Sequence, residues 1–140
     1  MKRTLLFTLT FLMVIMSCFM VSCVDKNGGG SGEMLYTEDT TLGQGKTTFT
    51  LIVEHINDKK VTFTINTDKA ILSEALVEVG ILEGHDDIYG LYIDSVNGVT
   101  HDFSTDKTYW AIYEGDSYAN SGIDGITIVS GATYKLVASR

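Results

Sequence analysis

Two runs, TFTLIVEH (residues 48–55) and KVTFTIN (residues 60–66), alternate apolar and polar side chains with a period of two. A helix cannot gather such a pattern on one face, but a half-buried strand can. Phe49, Leu51 and Val53 fall on one side of the first run, with Thr50 and Glu54 on the other. Val61, Phe63 and Ile65 alternate with Thr62, Thr64 and Asn66 in the second. The joining stretch, Ile56-Asn57-Asp58-Lys59-Lys60, carries turn residues, so the pair reads as a β-hairpin with one buried face. The chain contains no proline and 14 glycines, which leaves its turns to Gly, Asn and Asp.

A change of period follows. Ile71, Leu72, Ala75, Leu76 and Val79 lie on one helical stripe with Glu74 and Glu78 outside it. Thr67 or Asp68 is expected to cap this helix and Gly80 to end it. So short a helix is stable only when its stripe packs on a sheet. Glu83-Gly84-His85-Asp86-Asp87 reads as a polar turn, after which strand patterns return at Tyr89–Val96, Val99–Phe103, Thr108–Tyr113 and Ala132–Ala138. Asn97-Gly98 is a strong hairpin signal, and Ser104–Lys107 and Glu114-Gly115-Asp116 read as turns. Tyr118–Gly125 reads as a loop or short strand, and Ile126–Val129 as a short apolar piece. A hairpin, one helix, then several strands predicts an α+β fold, a β-grasp-like mixed sheet with the helix packed across it.

The front of the chain carries an address. Lys2 and Arg3 precede an apolar run from Leu5 to Val21, the pattern of an export signal. The run ends in Met20-Val21-Ser22-Cys23, which resembles a bacterial lipobox. The resemblance implies cleavage after Ser22 and lipidation of Cys23, with Cys18 a weaker alternative because it lies inside the apolar run. Val24–Gly32, VDKNGGGSG, reads as a flexible tether, and residues 33–46 as a polar lead-in. The expected organisation is a lipoprotein signal peptide (1–22), a lipidated N-terminus and tether (23–46) and one folded domain (47–140). The expected location is the outer face of the cell membrane. With Cys23 lipidated, no cysteine remains for a disulfide, a zinc cluster or a thiol nucleophile. Residues 1–22 hold two of the ten cations and none of the eighteen acids, which leaves −10 over residues 23–140. That balance argues against nucleic acid and against the domain lying on an anionic lipid surface.

Chemistry-bearing motifs are few. His55, His85 and His101 are far apart in sequence, form no metal-ligand spacing, and read as surface or rim residues. DSYANSGIDG (116–125) is rich in oxygen donors but lacks the spacing of a calcium loop. No nucleophile elbow, phosphate loop or dinucleotide fingerprint is present, so neither an enzyme nor a bound cofactor or metal is expected. What stands out is aromatic: Tyr89, Tyr92, Tyr109, Trp110, Tyr113 and Tyr118 fall within one third of the folded part. Alternation over Thr108–Tyr113 puts Trp110 and Ile112 on one face, the expected core side, and Tyr109, Ala111 and Tyr113 on the other. The tyrosine face suits a flat ligand or sugar rings.

Three stretches, TDKAILSEALVEVGIL (67–82), YGLYIDSVNGV (89–99) and YWAIYEGDSYANSGIDGITIVSGATYKLV (109–137), together resemble the transcobalamin-like C-terminal domain family. The resemblance spans about residues 48–139. It implies a β-grasp-like fold, found in bacteria in small exported or lipid-anchored proteins. In the vitamin B12 carriers this domain closes over cobalamin from one side while a helical barrel holds the other, and 140 residues leave no room for that barrel. The positions matching the ligand side are Tyr109, Trp110, Tyr113 and the loop Ser117–Gly122, within which Ser117, Tyr118, Asn120 and Ser121 are the candidate ligand-binding residues. Glu114-Gly115 stands where the carriers have Asn-Gly, a change of charge at that turn. The expectation is a non-enzymatic, lipid-anchored binding module for a corrinoid-like or other small ligand. The alternative is a surface interaction or adhesion domain that meets a partner protein and no small ligand.

Overall fold

The computed structural model describes residues 29–140. The expected hairpin forms from β2 (Thr47–Glu54) and β3 (Lys60–Thr67), and a further strand, β1 (Thr40–Gly43), precedes it. Phe49 lies opposite Ile65, Leu51 opposite Phe63 and Val53 opposite Val61, so the apolar alternation becomes one continuous face. The turn closes where Asp58 adopts a left-handed backbone (φ 61°) and donates its N–H to the His55 carbonyl at 3.0 Å. β1 pairs in parallel with β3, with Leu42 beside Ile65. The stretch expected as a polar lead-in therefore contributes an edge strand. Its four residues are too few to show a period in the sequence.

Helix α1, Leu72–Glu78, buries Leu72, Ala75 and Leu76 in the same core as Phe49, Leu51, Phe63 and Ile65. Gly80 (φ 74°) ends it as expected, with Ile81 N–H returning to the Leu76 carbonyl at 3.0 Å. The start differs from expectation. Neither Thr67 nor Asp68 caps it: Thr67 Oγ1 accepts from Lys69 N–H and Asp68 Oδ1 from Lys46 N–H. The first turn is satisfied by another part of the chain, with Leu72 N–H donating to the Ile126 carbonyl at 3.0 Å and Ile128 N–H to the Ala70 carbonyl at 2.8 Å. The apolar piece 126–129 is thus a backbone cap for α1.

The later strands divide. β7 (Tyr109–Glu114), β8 (Ser117–Tyr118) and β9 (Thr133–Ser139) join the hairpin in a six-stranded mixed sheet of order β1-β3-β2-β9-β7-β8. β4 (Leu82–Asp87), β5 (Gly90–Val96) and β6 (Val99–Thr100) form a separate three-stranded sheet. The expected single sheet is two sheets around one core, still an α+β arrangement. Residues 83–87, expected as a turn, are strand, and the turn falls at Ile88-Tyr89. Only Leu82 of β4 is buried, so β4 has no apolar alternation to announce it. Ser104–Lys107 is mostly helix: α2, Phe103–Asp106, starts where Asp102 accepts from Ser104 N–H at 2.9 Å. A short 3-10 turn, Ile123–Gly125, buries Ile123. No helix among the described residues is long and apolar enough to cross a membrane.

The tether differs as well. Residues 24–28 lie outside the described residues, as do the expected signal peptide (1–22), Cys18 and Cys23. Gly29–Gly32, expected to be free, lies against β6. Ser31 exchanges two backbone hydrogen bonds with Thr100, at 2.9 and 2.7 Å. Glycine permits the approach: a Cβ on Gly30 would sit 2.5 Å from His101 Cε1.

Candidate functional site

The sheet pairing decides which way each candidate side chain faces. Trp110 lies opposite Ala138 and Ile112 opposite Leu136, which in turn faces Val53, so these side chains share the core face. Tyr109, Ala111 and Tyr113 share the outer face with Ser139, Val137 and Lys135. Alternation read from the sequence assigned both faces. Of the candidate ligand-binding residues, Tyr113 and Tyr118 come together as cross-strand partners of β7 and β8, their rings edge-to-face at 5.3 Å. Ser117, Tyr118, Asn120 and Ser121 are exposed along β8 and the loop that follows. β8 is the outermost strand of its sheet, so this row forms an open edge. Lys135 Nζ donates to Asp116 at 2.6 Å, which holds the Asp116 carboxyl below and the Lys135 amine above their ordinary pKa values. Tyr109 lies nearer the other end of the strand, edge-on to Phe103 at 6.4 Å. Trp110 faces the opposite way and is 6% exposed, so it is absent from the tyrosine face.

The loop after β8 meets a second exposed feature. At the tip of the β4–β5 hairpin, Ile88 and Tyr89 are 84% and 88% exposed. The tip is tied to the 3-10 turn by Leu91 N–H donating to Asp124 Oδ2 at 3.1 Å, and Gly90 (φ 106°) lies directly against that carboxylate. Sequence reasoning missed this tip because it placed a turn over residues 83–87. The two most exposed large apolar side chains of the described residues therefore stand beside the Gly122–Asp124 stretch that follows the Asn120–Ser121 loop.

The histidines are not the surface or rim residues their isolation in sequence suggested. His55 and His101 are 7% and 2% exposed. Both pack edge-on against Trp110, with ring centroids 5.7 and 4.7 Å away. Burial lowers the pKa of both, and for His55 the neighbouring His101 and Lys59 add to it. His55 continues the inward alternation of Phe49, Leu51 and Val53, a signal already present in the sequence. His101 carried no such signal, since β6 is two residues long and ends before it. His85 alone stays exposed; its Nδ1 meets Asp94 at 2.8 Å, and that hydrogen bond raises its pKa. No group of three or more His, Cys, Asp or Glu side chains among the described residues is arranged to hold a metal ion.

A pH dependence follows from the buried pair. Their folded-state pKa values lie below the unfolded value of about 6.5, so the unfolded chain binds protons more readily. Stability is therefore full above about pH 6.5 and falls as pH drops toward the lower folded-state values. Thermal midpoints measured from pH 7.5 down to 5 should decline, and His55→Gln or His101→Gln should flatten the slope. His85 acts in the opposite sense, losing a contribution as pH rises through its raised pKa, but its exposure keeps that small.

No family model and no curated protein matches the chain. Solved structures do. A proposed metal-binding protein from Ruminococcus gnavus superposes with a TM-score of 0.64 at 26% identity, over 68% of this chain and 98% of that one. Haptocorrin in complex with Cbi superposes with a TM-score of 0.58 at 14% identity, over 70% of this chain and 26% of that one. The second likeness is one of fold, and this chain spans about a quarter of haptocorrin's length.

Proposed function

We propose that the protein is a non-enzymatic binding module, held at the outer face of the cell membrane by a lipid on Cys23, that takes a corrinoid-like or other small flat ligand on its open edge. The carrying observation is the exposed row Ser117, Tyr118, Asn120 and Ser121 on the outermost strand and its loop, with the half-buried Tyr113 of β7 against Tyr118 and the apolar Ile88–Tyr89 tip nearby. Aromatic faces with a few polar side chains at their rim suit a conjugated ring system. The fold shared with a corrin-carrier structure and with a proposed metal-binding protein is compatible with a ligand-binding module. The β-grasp description belongs to the same reading and rests on the helix packing into the core of the mixed sheet.

Mixing the full-length chain with cobalamin and following the visible absorbance of the corrin tests this reading. Saturable change is expected, with Tyr118→Ala weakening it by about tenfold, the scale of an aromatic anchor lost from a binding surface. Absence of any change at millimolar cobalamin removes the corrinoid, and unchanged binding in Tyr118→Ala removes the edge as its site. The anchor has its own test. Cys23→Ala is expected to shift the protein from the membrane fraction to the soluble exported fraction; unaltered membrane retention would mean that Cys23 is not the attachment point.

A further inference from the structure

A second feature lies at the Trp110 end of β7, whereas the edge discussed above gathers around Tyr113 near the other end. There, a cleft of about 390 Å³ opens between the β2–β3 turn, the end of β6 and the N-terminal glycine segment. Its lining includes Gly30, Gly32, Glu33, His55, Lys59 and His101. Among the described residues, three buried side-chain polar atoms have no hydrogen-bond partner: His55 Nε2, His101 Nε2 and Trp110 Nε1. They belong to one aromatic cluster, and two of the three rings line the cleft. Buried polar atoms are seldom left unpaired, and several in one cluster call for partners: an acceptor for an indole N–H, a donor or a cation for a bare imidazole nitrogen.

The proton on His101 can be assigned. The Thr108 hydroxyl has one proton and donates it to the Asp106 carboxylate, a contact that holds the Asp106 carboxyl below its usual pKa. Thr108 Oγ1 must then accept at its other contact, 2.7 Å from His101 Nδ1. So His101 carries its proton on Nδ1, and its Nε2 presents a bare lone pair. A carboxylate fixing the far nitrogen of an imidazole, here through one hydroxyl, is the arrangement that orients histidine as a metal ligand.

We propose that this cleft binds a divalent transition-metal ion, with Nε2 of His101 and Nε2 of His55 as its protein ligands. Neutral imidazole favours zinc, copper and nickel over calcium or magnesium, which prefer oxygen donors. Among the described residues no third His, Cys, Asp or Glu side chain is grouped with them to hold a metal ion, so the remaining coordination positions would fall to water or to an incoming donor. The glycine segment roofs the site. Gly30 lies against the His101 ring, where a Cβ would come within 3.2 Å of Nε2, and Ser31 pins the segment to Thr100. The site stands apart from the proposed ligand edge and does not depend on it.

Trp110 is the only tryptophan of the chain and touches both imidazoles, so it reports on the site directly. Titrating the full-length chain with Cu²⁺ or Ni²⁺ at pH 7.5 should quench its fluorescence saturably at one equivalent. His55→Gln and His101→Gln should each weaken that quench by at least about tenfold. Acidification should weaken it, because protons compete for the same lone pairs. His85→Ala removes the exposed His85–Asp94 pair, the competing surface site, and should leave the quench intact. Since a buried substitution can unfold the chain, the wild-type protein supplies a second measurement: added Zn²⁺ should shift the imidazole ¹⁵N resonances of His55 and His101 but not those of His85. Unmoved His55 and His101 resonances, or a quench lost only in His85→Ala, would overturn the proposal and leave water as the occupant of the cleft.

Discussion

Phe63→Ala is expected to cost about 3–5 kcal/mol, the range for removing a large aromatic side chain from a core that relaxes only in part. Phe63 is fully buried at the centre of β3, with Leu51 opposite it on β2 and Thr40 beside it on β1. Its ring also meets Tyr36 edge-to-face at 5.7 Å, and such a pair adds about 0.5–1.5 kcal/mol beyond the area it buries. A domain of this size holds about 5–15 kcal/mol in total, so the variant should be close to its stability limit. Urea unfolding followed by Trp110 fluorescence should show a midpoint shift of that size with little change in slope. Thr64→Ala, one residue along on the exposed face, should change stability by less than about 0.5 kcal/mol. A Phe63→Ala loss as small as that of Thr64→Ala would mean that the inner face of β3 is not the organising surface of the core.

Phe63 was legible because its strand carries its burial in its own pattern. The same holds for β2, for the α1 stripe and for the two faces of β7: each element has enough residues for its period to show. Where the pattern is short or the element is exposed, the sequence is silent. β1 is an edge strand of four residues, and β4 owes its conformation to pairing with β5, since five of its six residues are exposed. The cap of α1 was illegible for another reason. Its donors and acceptors are backbone groups near Ile126, more than fifty residues away, and backbone groups carry no side-chain signature. The site divides along the same line. Tyr113, Ser117, Tyr118, Asn120 and Ser121 follow one another along the chain, so a local reading finds them together. The meeting of His55, His101 and Trp110 joins three separate stretches across two sheets; alternation announced the direction of His55 and Trp110, but nothing announced His101.

The Asn97-Gly98 pair shows how a local signal can be read correctly and still be incomplete. It forms the expected hairpin turn, with φ 51° at Asn97 and 81° at Gly98, and Val96 faces Val99 across it. Turns of this kind usually lie on the surface, yet Asn97 is fully buried. Its side chain accepts from Tyr36 N–H at 2.9 Å and donates to the Tyr36 carbonyl at 2.8 Å, while its own carbonyl accepts from Leu35 N–H at 3.0 Å. The amide thus imitates a strand partner for the segment that enters the domain, and that segment carries both the Tyr36 ring packed on Phe63 and the roof of the histidine cleft. Asn97→Ala removes both side-chain bonds, leaves the Tyr36 N–H and carbonyl without them, and forces alanine into a left-handed backbone. The expected loss is about 2–4 kcal/mol, summing the unpaired polar groups and the backbone strain. Asn97→Gly removes the same bonds without the strain, so it should recover about 1 kcal/mol of that loss. In both variants the Tyr36 amide should exchange with deuterium far faster than in wild type, while the amides of β3 keep their protection relative to global stability. A wild-type exchange rate at Tyr36 in Asn97→Gly would show that the turn geometry, and not the side chain, holds this segment. Because Tyr36 links Asn97 to Phe63, combining Asn97→Ala with Phe63→Ala should cost less than the sum of the two single losses, since each already frees the same ring.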